Sequence, residues 1–475
     1  MENKFYITTA IPYVNAAPHV GHALEFVQAD AIARAHRLLG DETCLLSGGD
    51  ENALKNVQAA EKAGVPLQKF IDQNSKLFEE LAQKLHVQFD VFQKGSDQKN
   101  HYPASQKLWK LCEKDIYKKS YEGLYCVGCE QYYTKDELNE KGECFEHPGK
   151  KLELVKEENY FFKLSKYQKQ LIDLISSDTL HVVPDVRKNE MLSFLKQPLQ
   201  DISISRSDAR AKNWGVPVSG DDTQRIYVWF DALNIYQSGI GFGWDEKRYA
   251  KWWPADVHVI GKGITRFHAI YWPAFLLSAG LQLPKTILVH GYFTVNGQKM
   301  SKTVGNIIDP NIFINRYGAD SLRYYFLREL PTFADGDFSE KRFKELYNSD
   351  LANGLGNLVA RVAKLSETIE FQTIKCSYTD VYIGSYKKAI GEFRLHDAVA
   401  CIWEKIKTCD KLINDSEPWK LPTEKRKPIL NTARESIFEI AVLLQPFLPA
   451  TAEKIVKQFQ GPAIQSQPSL FPRIL

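Results

Sequence analysis

The period of the apolar positions changes along the chain. A β-branched and aromatic run at 5–9 predicts a strand. A helical pattern over about 23–39 follows it and stops at Gly40. Residues 43–47 read as a second buried strand, ending in Gly48-Gly49-Asp50-Glu51. Helical patterns at 52–63 and 67–85 and a third apolar strand at 88–92 come next. This alternation predicts an α/β fold, a doubly wound parallel sheet that binds ligands at the carboxyl ends of its strands. The alternation breaks over about 116–225. It resumes with strands at 226–230, 258–261 and 287–290 and a helix at 266–277. Beyond about Gly336 strands largely stop, and helical patterns at 351–370, 386–414 and 427–444 suggest a bundle. The pattern divides the chain into a first half-sheet (1–115), an insert (116–225), a second half-sheet (226–335) and a C-terminal α-helical bundle (336–475).

Composition narrows the class. The 475 residues are 44% hydrophobic and 25% charged, enough apolar content for a large core. A net charge of +3 is too small to announce a nucleic-acid partner, so any basic surface must be local. The N-terminus has no signal pattern, and the most apolar stretch, 269–283, is short and carries Pro273. Eight cysteines without a signal predict reduced thiols and a cytoplasmic protein.

Two stretches carry candidate chemistry. His19-Val20-Gly21-His22 lies between the first strand and the first helix. A helix N-terminus there offers unpaired N–H groups, and imidazoles can donate to phosphate oxygens. A ligand-free turn with two histidines is the alternative. Far downstream, Lys299-Met300-Ser301-Lys302-Thr303 lies in a Gly- and Asn-flanked loop, where two lysines could close over a polyphosphate; a solvated basic loop is the alternative. Together, and in this order, the two stretches resemble the HIGH and KMSKS signatures of class I aminoacyl-tRNA synthetases. Val20 and Thr303 are mild departures. The resemblance implies a split Rossmann-like sheet. It also implies ATP binding by His19, Gly21, His22, Gly261, Lys299, Ser301 and Lys302, with His19, His22, Lys299 and Lys302 catalytic and Mg2+ accompanying the ATP.

Within the insert, Cys126-Val127-Gly128-Cys129 and Cys144-Phe145-Glu146-His147 form two short pairs fifteen residues apart, Cys129 to Cys144. This spacing suits a structural Zn2+ knuckle with three thiolates and one imidazole. A redox pair would leave the second pair unexplained. Arg206 reads equally well as a contact to substrate or tRNA end and as a surface salt bridge. Asp50 reads as a counter-ion for a substrate ammonium or, more simply on sequence alone, as an N-cap for the helix beginning near Asn52. Aromatics such as Trp229, Tyr236 and Phe267 would ordinarily be core.

The resemblance sharpens these readings. The chain is similar throughout to methionyl-tRNA synthetases with a single knuckle. That similarity implies a methionine pocket of Ile11, Tyr13, Asp50, Trp229, Leu233, Tyr236, Phe267 and His268, where a thioether packs well against aromatic rings. It implies anticodon reading by Asn357, Arg361 and Trp419; exposed polar residues and a turn aromatic are the plainer reading. The chain departs where the family has Asp-Glu-His-Gly, here Asp50-Glu51-Asn52-Ala53, and where Gly263 replaces an aspartate near the nucleotide ribose. The implied reaction is activation of methionine with ATP to methionyl-adenylate and transfer to the 3′ end of tRNA(Met). The alternative is a non-catalytic, synthetase-derived tRNA-binding protein. With the chain stopping at Leu475, a monomer is expected.

Overall fold

The computed structural model describes residues 3–128, 131–133, 138–144, 149–300 and 305–474, with 131 and 299 described by backbone alone. Six strands form one parallel sheet. In spatial order they are Val91–Lys94, Glu42–Gly49, Lys4–Thr8, Val257–Gly261, Thr286–His290 and His181–Val183. Strand order reverses between Lys4–Thr8 and Val257–Gly261, two strands from opposite halves of the sequence. That switch point opens a crevice at the carboxyl edge, where such sheets bind ligands.

Side chains alternate across the sheet. Phe5, Ile7, Leu45, Val257, Val259 and Leu288 enter one core. Tyr6, Leu46, Ile260, Ile287 and Val289 enter another on the opposite face. Burial of both faces explains the near-continuous apolar strands. The first core runs on without a break into the helices Leu395–Ser416, Thr423–Leu444 and Pro449–Phe459, so the bundle packs against one face of the sheet.

A four-stranded antiparallel sheet projects from the 116–203 stretch, in the order Gln131–Tyr133, Ile116–Cys126, Glu153–Phe162, Ile202–Ser203. The strand expected at 226–230 is not there. Asp221–Ile226 belongs to a small antiparallel sheet, and Val228–Leu233 is a helix with every residue buried. An apolar run this short fits a buried strand or a buried helix equally well, and packing decided for the helix. The long helix expected over 386–414 is two, Gly384–Gly391 and Leu395–Ser416, parted at Phe393, whose φ is 57°. Among the described residues, no helix is long and apolar enough to cross a membrane.

Candidate active site

His19 is the N-cap of the helix Val20–Leu38, and both histidines are fixed by its first turn. Gly21 N–H donates to His19 Nδ1 at 3.1 Å, and His19 N–H donates to His22 Nδ1 at 3.1 Å. Because each Nδ1 accepts, each neutral ring carries its proton on Nε2. The turn thus makes two imidazoles into Nε2–H donors. Their rings lie 4.0 Å apart, and His22 packs edge-on against Phe78. Burial, with His19 as neighbour, holds the His22 pKa well below the usual imidazole value. Gly21 is required sterically, since a Cβ there would stand 2.9 Å from His19 Cε1.

Two residues of the downstream stretch, Met300 and Ile308, lie against this turn. Met300 Cε is 3.8 Å from where a Gly21 Cβ would sit. Beyond the loop, the Ile308 carbonyl accepts the Val20 N–H at 3.1 Å. The Lys299 side chain and Ser301, Lys302 and Thr303 lie outside the described residues.

Asp50 is buried at the carboxyl end of Glu42–Gly49 and pairs through its backbone with Tyr13. It does not cap the next helix. Leu54–Ala63 starts later, with Ala53 at the N-cap and no side-chain cap, so the simpler sequence reading of Asp50 is overturned. The rest of the expected pocket converges on the same edge. Tyr13 meets Trp229 edge-on at 6.2 Å, and Trp229 stacks on Phe267 at 3.7 Å. Tyr236 OH and His268 Nε2 are 2.8 Å apart, and His268 Nδ1 lies 2.9 Å from the Ile264 carbonyl. The carbonyl can only accept, so Nδ1 carries the proton and Nε2 accepts from the phenol. Burial lowers the His268 pKa to about 4, outweighing the Ile264 bond, and keeps the ring neutral. Phe267 and His268 belong to a π-helical turn, Phe267–Tyr271, a distortion often found at functional sites. Leu233 is buried and Ile11 half-buried.

Two groups, Glu25 and Asp231, had no clear sequence signal, and a third, Arg206, left two readings open. Glu25, one turn after His22, accepts from the Ala10 N–H at 2.8 Å and sits 3.0 Å from His290 Nε2, tying the signature helix to two strand ends. Asp231 is buried under the pocket, with bonds from Asn52 Nδ2 and Ser105 Oγ, both at 2.7 Å, and a contact to His101 Nε2 at 2.9 Å. Asn52, the departure from histidine, is therefore a structural partner of Asp231. Arg206 is buried rather than a surface ion pair. It stacks near Tyr125, Tyr132 and Tyr227 at 4.4–5.1 Å and bonds to Ser203 and Ser205.

Cys126 and Cys144 are both buried in the antiparallel insert, while Cys129 and His147 lie outside the described residues. No group of three or more potential metal ligands occurs among the described residues. Among the C-terminal helices, Asn357 and Arg361 share one face of Asn357–Ser366, and Arg361 reaches Asp410 and Asn414 of Leu395–Ser416 at 2.6 and 2.7 Å. Trp419 follows that helix on a single turn and is 46% exposed, unusual for so large an apolar ring.

Comparison with known proteins points to one family. The class I tRNA synthetase (M) family model matches residues 5–363, and the anticodon-binding domain of tRNA ligase matches 376–473. The methionine–tRNA ligase of Thermotoga maritima is 41% identical, over 98% of this chain and 76% of its own length. That of Brucella melitensis is 39% identical over 98% and 93%. Among solved structures, Mycobacterium tuberculosis methionyl-tRNA synthetase in complex with methionyl-adenylate superposes with a TM-score of 0.91 at 35% identity, covering 99% of this chain and 100% of that one. The free-state form superposes at 0.85 and 31% identity, covering 100% and 99%. On these matches, this chain belongs to the methionyl-tRNA synthetase family of class I tRNA synthetases.

Proposed function

We propose that this chain activates methionine with ATP, forming methionyl-adenylate and pyrophosphate, and then transfers the methionyl group to the 3′ end of tRNA(Met). The observation that carries the reading is the meeting of the histidine turn with both flanks of the lysine loop. A carboxylate is already nucleophilic toward the α-phosphate, so the first step needs no strong base. Its rate comes from holding the reactants and from donors placed where charge develops. His19 and His22 present Nε2–H donors to the phosphates. Lys299 and Lys302 neutralise the leaving pyrophosphate, and Mg2+ bound with ATP shares that charge. Asp50 faces the substrate ammonium, while Ile11, Tyr13, Trp229, Leu233, Tyr236, Phe267 and His268 enclose the thioether side chain.

The insert carries a structural zinc site in this reading. The paired spacing and two buried thiols fit a set of Cys126, Cys129, Cys144 and His147, which would hold together a small, polar lobe. The four-part division at 115, 225 and 335 assigns tRNA reading to the bundle. In this reading Trp419 stacks on an unpaired base, and Asn357 and Arg361 bind base edges. The protein is a cytoplasmic monomer in this reading. Pyrophosphate exchange with each of the twenty amino acids tests it. Exchange with methionine alone supports the proposal; exchange with another amino acid, or with none, rejects it. Trp419→Ala is expected to weaken tRNA charging about 10-fold or more while leaving exchange intact.

A further inference from the structure

A cleft of about 550 Å³ opens between the segment around Arg316–Ser321 and the last helix, Pro449–Phe459, and none of the site residues named above lines it. That volume suits a ligand of nucleotide size. Four basic side chains from remote segments meet there. They are His86, after the helix Leu67–Lys84; Arg316, in Pro310–Tyr317; Lys454, in Pro449–Phe459; and Arg473, in the last described segment. Arg316 has Glu340 3.6 Å away, whereas Lys454 and Arg473 have no ion pair among the described residues. Gathering like charges costs energy unless an anion offsets it, and a cleft of one sign concentrates anions. The first turn of Ala319–Arg328, which has no side-chain cap, also lines the cleft and favours an anion.

Among the described residues the lining holds a single acid, Asp320, only 6% exposed. Its Oδ2 accepts the Thr451 N–H at 2.6 Å, whereas Oδ1 has no hydrogen-bond partner among the described residues. His86 Nδ1 stands 3.7 Å from that oxygen, too far for a hydrogen bond. Buried acceptors are ordinarily paired, so the arrangement is one that a further group completes. With Nδ1 turned to the carboxylate, His86 keeps Nε2 for another partner, and its side chain is 44% exposed. Burial would raise the Asp320 pKa, but His86, the Thr451 bond and the Arg323 charge outweigh it and keep the group ionised.

We infer that this cleft is a second binding site, for a small phosphorylated molecule of nucleotide size. Its phosphate lies among His86, Arg316, Lys454 and Arg473, with Asp320 behind the imidazole, and its apolar part lies against Leu470 and Pro472.

The test titrates the whole chain with AMP, GMP, CMP, UMP and inorganic phosphate in a calorimeter, with the catalytic site filled by a non-hydrolysable methionyl-adenylate analogue. At least one nucleotide should bind once per chain, and inorganic phosphate about 10-fold or more weakly, for want of the apolar contact. Lys454→Glu with Arg473→Glu, and His86→Gln separately, should each weaken that nucleotide about 10-fold or more, the worth of charge-assisted contacts to phosphate. Both variants should form adenylate at the wild-type rate, which shows that they fold. Binding of none of the four nucleotides would overturn the proposal. So would binding that either variant leaves unchanged, or phosphate binding as tight as the nucleotides, which would mean an inorganic anion only. Slower tRNA(Met) charging by the Lys454→Glu, Arg473→Glu chain with no nucleotide bound would assign the cations to the tRNA backbone, and would overturn it too.

Discussion

At the scale of single residues, the histidine turn specifies chemistry through backbone bonds. Two amides hold two Nδ1 atoms, and that fixes where the protons are. Gly21→Ala tests how tightly the arrangement is held. Its Cβ must displace the His19 ring, and adenylate formation should fall about 10-fold to 100-fold with little change in melting temperature. A wild-type rate would show that the ring has slack. The buried imidazoles also give a pH dependence. Burial lowers the pKa of His22, His258 and His268, for His268 to about 4. The unfolded chain takes up these protons near pH 6.5, so between about 6.5 and 4 it binds more protons than the folded state. Stability is therefore full above about 6.5 and declines as pH falls through this window. For His268 the loss is on the order of 3 kcal/mol. Urea midpoints measured at pH 7.5 and 5 should show the decline, and a flat profile would contradict neutral burial.

At the scale of elements, much of the site was legible because strand ends and helix starts carry marked residues. The first strand, the signature turn and helix, and the strands at 257–261 and 286–290 all fall within a few residues of where periodicity put them. Three features were not legible. His181–Val183 is a three-residue edge strand with too few positions for a period. Val228–Leu233 is buried on every face, Asp231 included, so no exposed positions mark a helical or a strand period. Asp50 looked like a cap because capping is local, whereas its actual place depends on the backbone pairing with Tyr13. The support beneath the pocket was equally hidden, since Asn52, His101, Ser105 and Asp231 come from three separate stretches. Asp231→Ala should loosen the helix that carries Trp229 and Leu233. The methionine KM is expected to rise about 10-fold or more with the ATP KM nearly unchanged, a split that steady-state kinetics reads directly.

At the scale of the whole molecule, one buried cation joins the signature helix to the bundle. Arg323 is fully buried and pairs with Asp30 of Val20–Leu38 at 2.8 Å. Its remaining donors reach the Leu85, Pro446 and Phe447 carbonyls at 2.7–3.1 Å. Arg323→Met removes a partner from a dry site and should destabilise the fold by about 3–5 kcal/mol in urea unfolding. Through this joint and the continuous core, the helix bearing His19 and His22 is seated on the rest of the molecule, and Met300 and Ile308 meet its first turn. The account depends on those two signatures acting on one triphosphate. Its most direct test is single-turnover formation of methionyl-adenylate by wild type, His22→Ala and Lys302→Ala. Each variant should be slower by about 100-fold or more, the usual worth of a preorganised donor. A wild-type rate in either variant would contradict the account.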